Sequence, residues 1–282
     1  MRDNWIIQDL LAWTTSFFSQ KGIDNPRLEA EILLARVLNR DRVYLYANFD
    51  RPVDLRERDL FRDYIKRRVK GEPTAYIVGC KEFMSLNFKV TSDVLIPRPD
   101  TEILVESVLE TVKPENTVKI CDVGTGSGAI AISLAYYLPH AVVYATDISP
   151  AALEVARENA ANNRVNINFL QGNLLEPIPD TEKFDIFTAN LPYIAPDELE
   201  LLDHEVKDFE PIIALVAPGD GLDLYRELIP PVWERLNKGG YVFFEISHNQ
   251  GAGAYKLMQD FTDVVLLQDL AGRDRVIRAR KG

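Results

Sequence analysis

A strand, a glycine loop and a helix follow one another near the middle of the chain, and this order most constrains the fold. The stretch VKICDVGTGSGAIAISLA begins with the apolar residues 118–121, continues through Gly124, Gly126 and Gly128, and ends in a small-residue helix expected over 129–137. Glycines let the backbone turn sharply and let a ligand approach the main chain, and a helix start offers free N–H groups. The Gly-x-Gly-x-Gly spacing is one residue tighter than the dinucleotide-binding fingerprint. The pattern predicts an α/β fold with a ligand site at this loop.

An acidic residue follows the next expected strand, residues 142–145. Asp147 lies roughly 20 residues beyond Gly124, which is where nucleotide-binding βαβ units place a carboxylate for the ribose. A solvated turn residue is the ordinary alternative for an isolated Asp, but the position after a glycine loop favours the cofactor role. Ser149 and Pro150 then begin another helix, as cap and first residue.

A second candidate site lies where the apolar strand 184–189 runs into Asn190, Leu191, Pro192 and Tyr193. The Asn190 amide oxygen can accept one N–H of a bound amide or amine, and the extended conformation before a proline can free the Leu191 carbonyl to accept another. Pro192 stiffens the loop, and Tyr193 offers a flat face to a planar group. The four residues predict a site that holds an NH2 group. An ordinary strand-end turn is the alternative that the tetrapeptide alone leaves open.

These features together resemble the class I S-adenosylmethionine-dependent methyltransferases that act on a planar amide or amine nitrogen. Two further stretches, GEPTAYIVG at 71–79 and VLIPRPDTE at 94–102, resemble the linker region of the release-factor glutamine methyltransferases, also called the HemK family. The resemblance runs nearly end to end, through DFEP at 208–211, DGLD at 220–223 and DLAGRDR at 269–275.

The resemblance implies the fold, the cofactor, the substrate and the site. The fold is α/β, a Rossmann-like seven-stranded class I methyltransferase domain with a small N-terminal helical domain. The cofactor is S-adenosyl-L-methionine, converted to S-adenosyl-L-homocysteine without a metal. The substrate is the glutamine of the Gly-Gly-Gln tripeptide in class I peptide chain release factors. The implied cofactor-binding residues are Gly124, Thr125, Gly126, Ser127, Gly128, Asp147, Asn173, Leu174 and Asn190, and the implied catalytic and substrate-binding residues are Asn190, Leu191, Pro192 and Tyr193.

Three positions depart from the family pattern. Asn173 stands where related enzymes often have an acidic residue that meets the adenine amine, and Leu174 stands where some have an aromatic residue; an Asn can still accept that hydrogen bond, without a charge. Leu191 replaces the first proline of the usual Asn-Pro-Pro-Tyr, but its expected contact is a backbone carbonyl. Asn-Leu-Pro-Tyr also occurs in ribosomal RNA adenine dimethyltransferases. An adenine methyltransferase acting on RNA or DNA is therefore the competing hypothesis, and a catalytically silent relative that only binds release factors or ribosomes is a third.

Composition limits the partners. The 282 residues are 46% hydrophobic and carry a net charge of −11, which weighs against a sequence-independent nucleic-acid binder. Cys80 and Cys121 form no disulfide framework, and no stretch approaches the ~20 apolar residues of a membrane span. We expect a cytoplasmic monomer that acts on a protein, without direct nucleic-acid or membrane contact.

The hydrophobic periodicity predicts three regions along the chain. Helical spacing over residues 5–70, with helices starting near Trp5, at Asn25-Pro26 and at Asp54, predicts a helical substrate-recognition domain over 1–72. A β-hairpin linker is expected over 73–92, with arms at 75–78 and 86–90. The methyltransferase domain is expected over 93–282.

The methyltransferase region alternates strands with helices, which is typical of a parallel sheet. Its remaining strands are expected at 167–171 and 241–246, and the last two, at 264–267 and 275–280, are expected to form a hairpin. The acidic segment 195–225 lacks periodicity and is expected to form an ordered flap beside the substrate pocket.

Overall fold

The computed structural model describes residues 5–113 and 115–282, and the chain divides into two units. The first unit runs from the beginning of the described chain to Gly79 and also contains Asp203–Phe209. The second unit comprises Cys80–Leu202 and Glu210–Gly282. Residues 1–4 and 114 of the expected domains lie outside the described residues, and the domain limits at 72 and 92 stay predictions.

The two units differ in their secondary structure, the first being helical and the second mixed. The helices are α1 (Ile7–Gln20), α2 (Pro26–Val37), α3 (Arg42–Ala47), α4 (Leu55–Val69), α5 (Thr74–Val78), α6 (Pro99–Thr111), α7 (Ala129–Tyr137), α8 (Pro150–Asn162), α9 (His204–Phe209), α10 (Asp223–Arg235) and α11 (Gly251–Leu257). The strands are β1 (Cys80–Phe83), β2 (Leu86–Lys89), β3 (Lys119–Val123), β4 (Val142–Asp147), β5 (Asn168–Gln171), β6 (Phe184–Ala189), β7 (Leu236–Glu245), β8 (Thr262–Gln268) and β9 (Asp274–Arg280). Short 3-10 helices cover Leu199–Leu201 and Ile212–Ala214.

The helical unit packs the apolar stripes of α1, α2 and α4 against one another. Leu11 and Phe18 of α1 and Leu33 of α2 are fully buried in one cluster, because residues three and four positions apart share a helix face. Asp54 caps α4 through a capping box. The Glu57 N–H donates to Asp54 Oδ1 at 2.9 Å, and the Asp54 N–H donates to Glu57 Oε2 at 3.0 Å. The helices expected from Asn25-Pro26 and after Asp54 are confirmed, whereas the periodicity had not indicated α3.

The expected hairpin arm at 75–78 is wrong, because these residues form α5. Their β-branched character favours a strand, but a helical turn lets the neighbouring residues Ile77 and Val78 both reach the helical core, whereas a strand would point them to opposite faces. Gly79, with φ of 75°, ends the turn. The hairpin consists instead of β1 and β2, so the second expected arm is confirmed.

The second unit is built on a seven-stranded sheet in the order β5-β4-β3-β6-β7-β9-β8. Strands β5, β4, β3, β6 and β7 are parallel, and β9 and β8 run antiparallel as the expected terminal hairpin. Apolar residues on both faces of the sheet form two clusters with the flanking helices, which confirms the Rossmann-like methyltransferase fold. Among the described residues, no helix combines the length and the apolar character needed to cross a membrane.

The strand order reverses beside β3, and this reversal positions the candidate site. From β3 the chain moves to β4 and β5 on one side, and then crosses to β6 and β7 on the other. Ligands of open α/β sheets bind in the crevice that such a reversal leaves at the carboxyl ends of the strands. Val123 pairs with Ala189 at these ends, so the glycine loop and Asn190 begin side by side.

Candidate active site

A cavity of about 280 Å³ opens at this switch point. Its walls come from the loop after β3, the ends of β4 and β6, the segment before α6 and the segment before α10. Of the residues predicted from the sequence, it is lined by Gly124, Thr125, Gly126, Ser127, Asp147, Asn173, Leu174, Asn190, Leu191 and Pro192. Gly128 and Tyr193 do not line it.

The glycine loop needs glycine at its first position for two reasons. Gly124 has φ of 72°, and a Cβ added there would lie 2.8 Å from Leu191 Cδ2. The N–H groups of Gly124 and Thr125 both donate to the Thr146 carbonyl, which ties the start of the loop to β4. Gly128, with φ of 83°, is the residue before α7 and turns the chain into that helix. The loop therefore brings its backbone, without side-chain bulk, to the wall formed by Leu191.

Asp147 lies at the end of β4 with both carboxylate oxygens in use. Gly126 N–H donates to Oδ2 at 2.8 Å and Ser149 N–H donates to Oδ1 at 2.9 Å. Burial raises the pKa of this carboxyl, and the backbone N–H groups of Ser149 and Gly126 oppose the rise. Each oxygen of a carboxylate can accept a second hydrogen bond. Asp147 is thus held in place while keeping acceptor positions for two hydroxyl groups.

Asn173 and Leu174 lie on the wall of the cavity after β5. Asn173 Nδ2 donates to Glu227 Oε1 on α10 at 3.3 Å. This bond turns the amide so that Oδ1 is the end left to accept, which fits an exocyclic amine. Leu174, with φ of 45°, supplies an apolar surface beside it.

Asn190 and Leu191 each donate one N–H to a neighbouring hydroxyl, and each keeps one oxygen atom that can accept a hydrogen bond. Asn190 Nδ2 donates to Thr101 Oγ1 at 3.2 Å, and the Leu191 N–H donates to the buried Tyr225 hydroxyl at 3.3 Å. Among the described residues, no donor is hydrogen-bonded to the Leu191 carbonyl oxygen. Two acceptors, Asn190 Oδ1 and Leu191 O, are therefore free at neighbouring positions.

Pro192 and Tyr193 extend this loop in different directions. Pro192 lines the cavity. The Tyr193 side chain instead donates from its hydroxyl to Glu245 Oε1 at 3.4 Å, and the Tyr193 backbone carbonyl accepts from Gln250 Nε2 at 3.0 Å. Burial is the main cause that raises the pKa of the Tyr193 hydroxyl, and the nearby Glu245 carboxylate raises it further. The contact of the Tyr193 ring with a planar substrate stays a prediction.

Two buried carboxyl groups next to the cavity had no role predicted from the sequence. Asp122, 1% exposed, accepts from Thr125 Oγ1 at 2.7 Å and from Thr188 Oγ1 at 2.8 Å. Burial raises its pKa to about 7, and the two hydroxyls oppose this rise. Glu245 is 2% exposed, and burial raises its pKa to about 7 as well. A lone acid within or at the end of an apolar strand was the available signal for both.

The segment before α6 and the expected flap also contribute to the cavity. Arg98 lines it and forms an ion pair with Glu210, which also accepts from the Ile96 N–H at 3.2 Å. Glu210 is 4% exposed, so a buried carboxylate is paired here with an arginine whose side chain is still partly exposed. The flap residues Ile213, Ala214, Val216 and Pro218 line the cavity as well.

The arrangement favours the alignment of a bound group over acid–base catalysis. The cavity places fixed acceptors beside a backbone loop, with Asp147 on one side and Asn190 on the other. Within residues 5–113 and 115–282, no group of three His, Cys, Asp or Glu side chains is placed to hold a metal ion. The geometry suits the transfer of a group between two bound molecules.

Two family models match the chain. Residues 9–79 match the PrmC N-terminal domain, and residues 114–260 match a methyltransferase domain. The chain is 41% identical to the release factor glutamine methyltransferase of Geobacter sulfurreducens over 99% of its own length and 98% of that protein. It is 45% identical to the enzyme of the same name from Moorella thermoacetica, over 92% of each chain.

A solved structure supports the fold alone. The methyltransferase from Pyrococcus furiosus superimposes with a TM-score of 0.53 and 17% identity, covering 78% of this chain and 98% of that one.

Proposed function

This chain belongs to the release factor glutamine methyltransferase family, and we propose that it methylates the glutamine of the Gly-Gly-Gln tripeptide in class I peptide chain release factors. The methyl group comes from S-adenosyl-L-methionine and is transferred to the side-chain amide nitrogen, giving N5-methylglutamine and S-adenosyl-L-homocysteine. Similarity over nearly the whole chain, including the PrmC N-terminal domain, favours this protein substrate over adenine in RNA or DNA.

The observation that carries the proposal is the pair of free acceptors at Asn190 Oδ1 and Leu191 O. A primary amide has two N–H groups, and two fixed acceptors can take both of them. The Tyr225 hydroxyl holds the Leu191 main chain, and Thr101 holds the Asn190 side chain. The leucine that replaces the usual proline keeps this contact, because the carbonyl and not the side chain makes it.

The residues of the cavity fit the cofactor. Asp147 has acceptor positions for the ribose hydroxyls, Asn173 Oδ1 is left to accept from an exocyclic amine, and Gly124 leaves room for close approach to the backbone. When bound there, S-adenosylmethionine supplies a methyl group already activated by its sulfonium centre.

Alignment is the main contribution that the protein makes to the reaction. A glutamine amide is a poor nucleophile because its lone pair is delocalised into the carbonyl, so the barrier falls chiefly when the nitrogen is held in line with the methyl group. Asn190 and Leu191 hold the NH2 group, and Pro192 keeps their loop stiff. The packing of the Tyr193 ring on the amide plane is the one predicted substrate contact whose residue lies outside the cavity lining. The proton leaves after transfer, and no step requires a metal.

The proposed enzyme acts as a cytoplasmic monomer, without membrane or direct nucleic-acid contact. Every residue that lines the cavity belongs to the second unit of one chain. The net charge of −11 suits a protein partner better than a phosphate backbone.

Mass spectrometry of a release factor tests the proposal directly. A purified class I release factor is incubated with this protein and S-adenosylmethionine, beside a release factor whose tripeptide glutamine is replaced by alanine. We expect a gain of one methyl group, located by fragmentation on the tripeptide glutamine and absent from the alanine variant. A wild-type enzyme that binds the cofactor but adds no methyl group would contradict the proposal, and a methyl group on adenine of an RNA control would favour the competing hypothesis.

A further inference from the structure

The Asn190 side chain is held by its nitrogen atom. Its Nδ2 donates to Thr101 Oγ1 at 3.2 Å, and Thr101 lies in the first turn of α6, 4% exposed, on the wall of the cavity. Because Nδ2 is occupied by Thr101, Oδ1 is the end of the amide that faces a bound group. The orientation of this amide decides whether the site offers an acceptor or a donor.

A hydroxyl alone cannot fix that orientation, because it both donates and accepts. If the Asn190 amide turned over, Thr101 could donate to Oδ1, and an N–H would then face the N–H groups of the substrate. For the observed orientation to be the stable one, the Thr101 hydroxyl must therefore donate its hydrogen to an acceptor other than Asn190.

Glu245, at the end of β7, is the acceptor to which the Thr101 hydroxyl can donate. Its carboxylate is 2% exposed, and burial raises its pKa to about 7, while the hydroxyls of Thr101 and Tyr193 favour the ionised form. The Tyr193 hydroxyl donates to Oε1, whereas the buried Oε2 has no hydrogen-bond partner among the described residues and is the oxygen left to accept from Thr101. In its ionised form the Glu245 carboxylate only accepts, so a Thr101 hydroxyl turned towards that form presents only lone pairs to Asn190.

We propose that Thr101 is a positioning residue for the methyl transfer, which holds Asn190 Nδ2 while its own hydrogen points to Glu245, so that Asn190 Oδ1 accepts from the substrate amide. This role rests on the proposed function, because the atom that Thr101 orients is the acceptor for the glutamine nitrogen. Thr101 acts through Asn190. Its loss affects the alignment of the nucleophile more than the binding of either substrate.

Two substitutions of Thr101 separate this role from simple packing. Thr101→Val keeps the shape of the side chain but removes the hydroxyl, and Thr101→Ser keeps the hydroxyl but removes the methyl group. Thr111→Val is the matched control, because Thr111 lies on the same helix and its hydroxyl donates only to the Ser107 carbonyl one turn earlier. For each variant, kcat and KM with a release factor are measured by methyl transfer, and cofactor affinity is measured by calorimetry.

We expect Thr101→Val to lower kcat at least about 10-fold, with KM and cofactor affinity within about 2-fold of wild type. Thr101→Ser should recover most of the lost rate, and Thr111→Val should match wild type. A Thr101→Val enzyme with unchanged kcat would overturn the proposal, as would a Ser variant as slow as the Val variant. An inactive wild-type enzyme would instead contradict the proposed function, so the two failures are distinguishable.

Glu245→Gln tests the proposed hydrogen bond from Thr101 to Glu245. A glutamine amide can donate to Thr101, which permits the reversed arrangement, so we expect a lower kcat with binding retained. If both residues act through Asn190, the double variant with Thr101→Val should be no slower than the slower single variant. Independent losses that multiply in the double variant would overturn the link between Thr101 and Glu245.

Discussion

Asn190 acts in the proposed transfer through its single free oxygen atom, and its truncation should therefore affect turnover. Asn190→Ala removes one acceptor for the glutamine NH2, a loss worth ~1–3 kcal/mol, so we expect kcat to fall by roughly 5- to 150-fold or more. Cofactor affinity should be largely spared. Asn162→Ala is the control, because this exposed asparagine lies at the end of α8. Normal turnover by Asn190→Ala would refute the assignment.

Asp147 should show the opposite pattern, with its main effect on cofactor binding. Asp147→Ala removes the acceptor for the ribose hydroxyls and leaves the N–H groups of Gly126 and Ser149 unpaired. Because hydrogen bonds to a charged group contribute about 1.5–3 kcal/mol each, calorimetry should show a Kd for S-adenosylmethionine at least roughly 10-fold weaker. Asp260→Ala, at an exposed turn, should leave the Kd unchanged. Equal affinities of the Asp147 variant and wild type would refute the ribose contact.

The elements around the site were predictable where their signals are local. The sequence predicted β6 and α7 at their observed bounds, since apolar runs end at Pro192 in one case and begin after three glycines in the other. It also predicted that Ser149 would cap α8, and the Ala152 N–H does donate to its hydroxyl. The α5 segment was mispredicted, because burial against the helical core outweighed the strand propensity of Ile77 and Val78.

The partners of the site residues could not be predicted, because they come from elements distant in sequence. Thr101 reaches Asn190 from α6, Tyr225 reaches Leu191 from α10, and Glu245 reaches Tyr193 from β7. Only the strand order brings these three elements to one end of the sheet, and no local pattern encodes it. Local motifs therefore predicted the residues expected to contact substrate and cofactor, but missed those that hold them in position.

The stability of the whole molecule should depend on pH through its buried carboxyl groups, of which Asp122 has the clearest environment. Burial raises its folded-state pKa from the ordinary 3.8 to about 7. The folded state therefore binds this proton more tightly than the unfolded state. The contribution is fully present below the ordinary pKa and is lost as the pH rises through about 7. Across that window the free energy of unfolding falls by up to about 1.4 kcal/mol per pH unit from this group alone.

Asp122→Asn removes this titration, and the difference in unfolding free energy between variant and wild type should therefore change with pH. The free energy of unfolding is measured with urea, without cofactor, at about pH 5 and about pH 8. The value for the variant minus that for wild type should be roughly 1–3 kcal/mol higher at the higher pH, whatever the absolute cost of the substitution. The exposed Asp260→Asn removes the same charge at the surface and should give a difference without this trend. A constant difference for Asp122→Asn would mean that Asp122 titrates alike in both states. The ionised form would then be stabilised in the fold by Thr125 and Thr188, which donate to it, strongly enough to offset its burial.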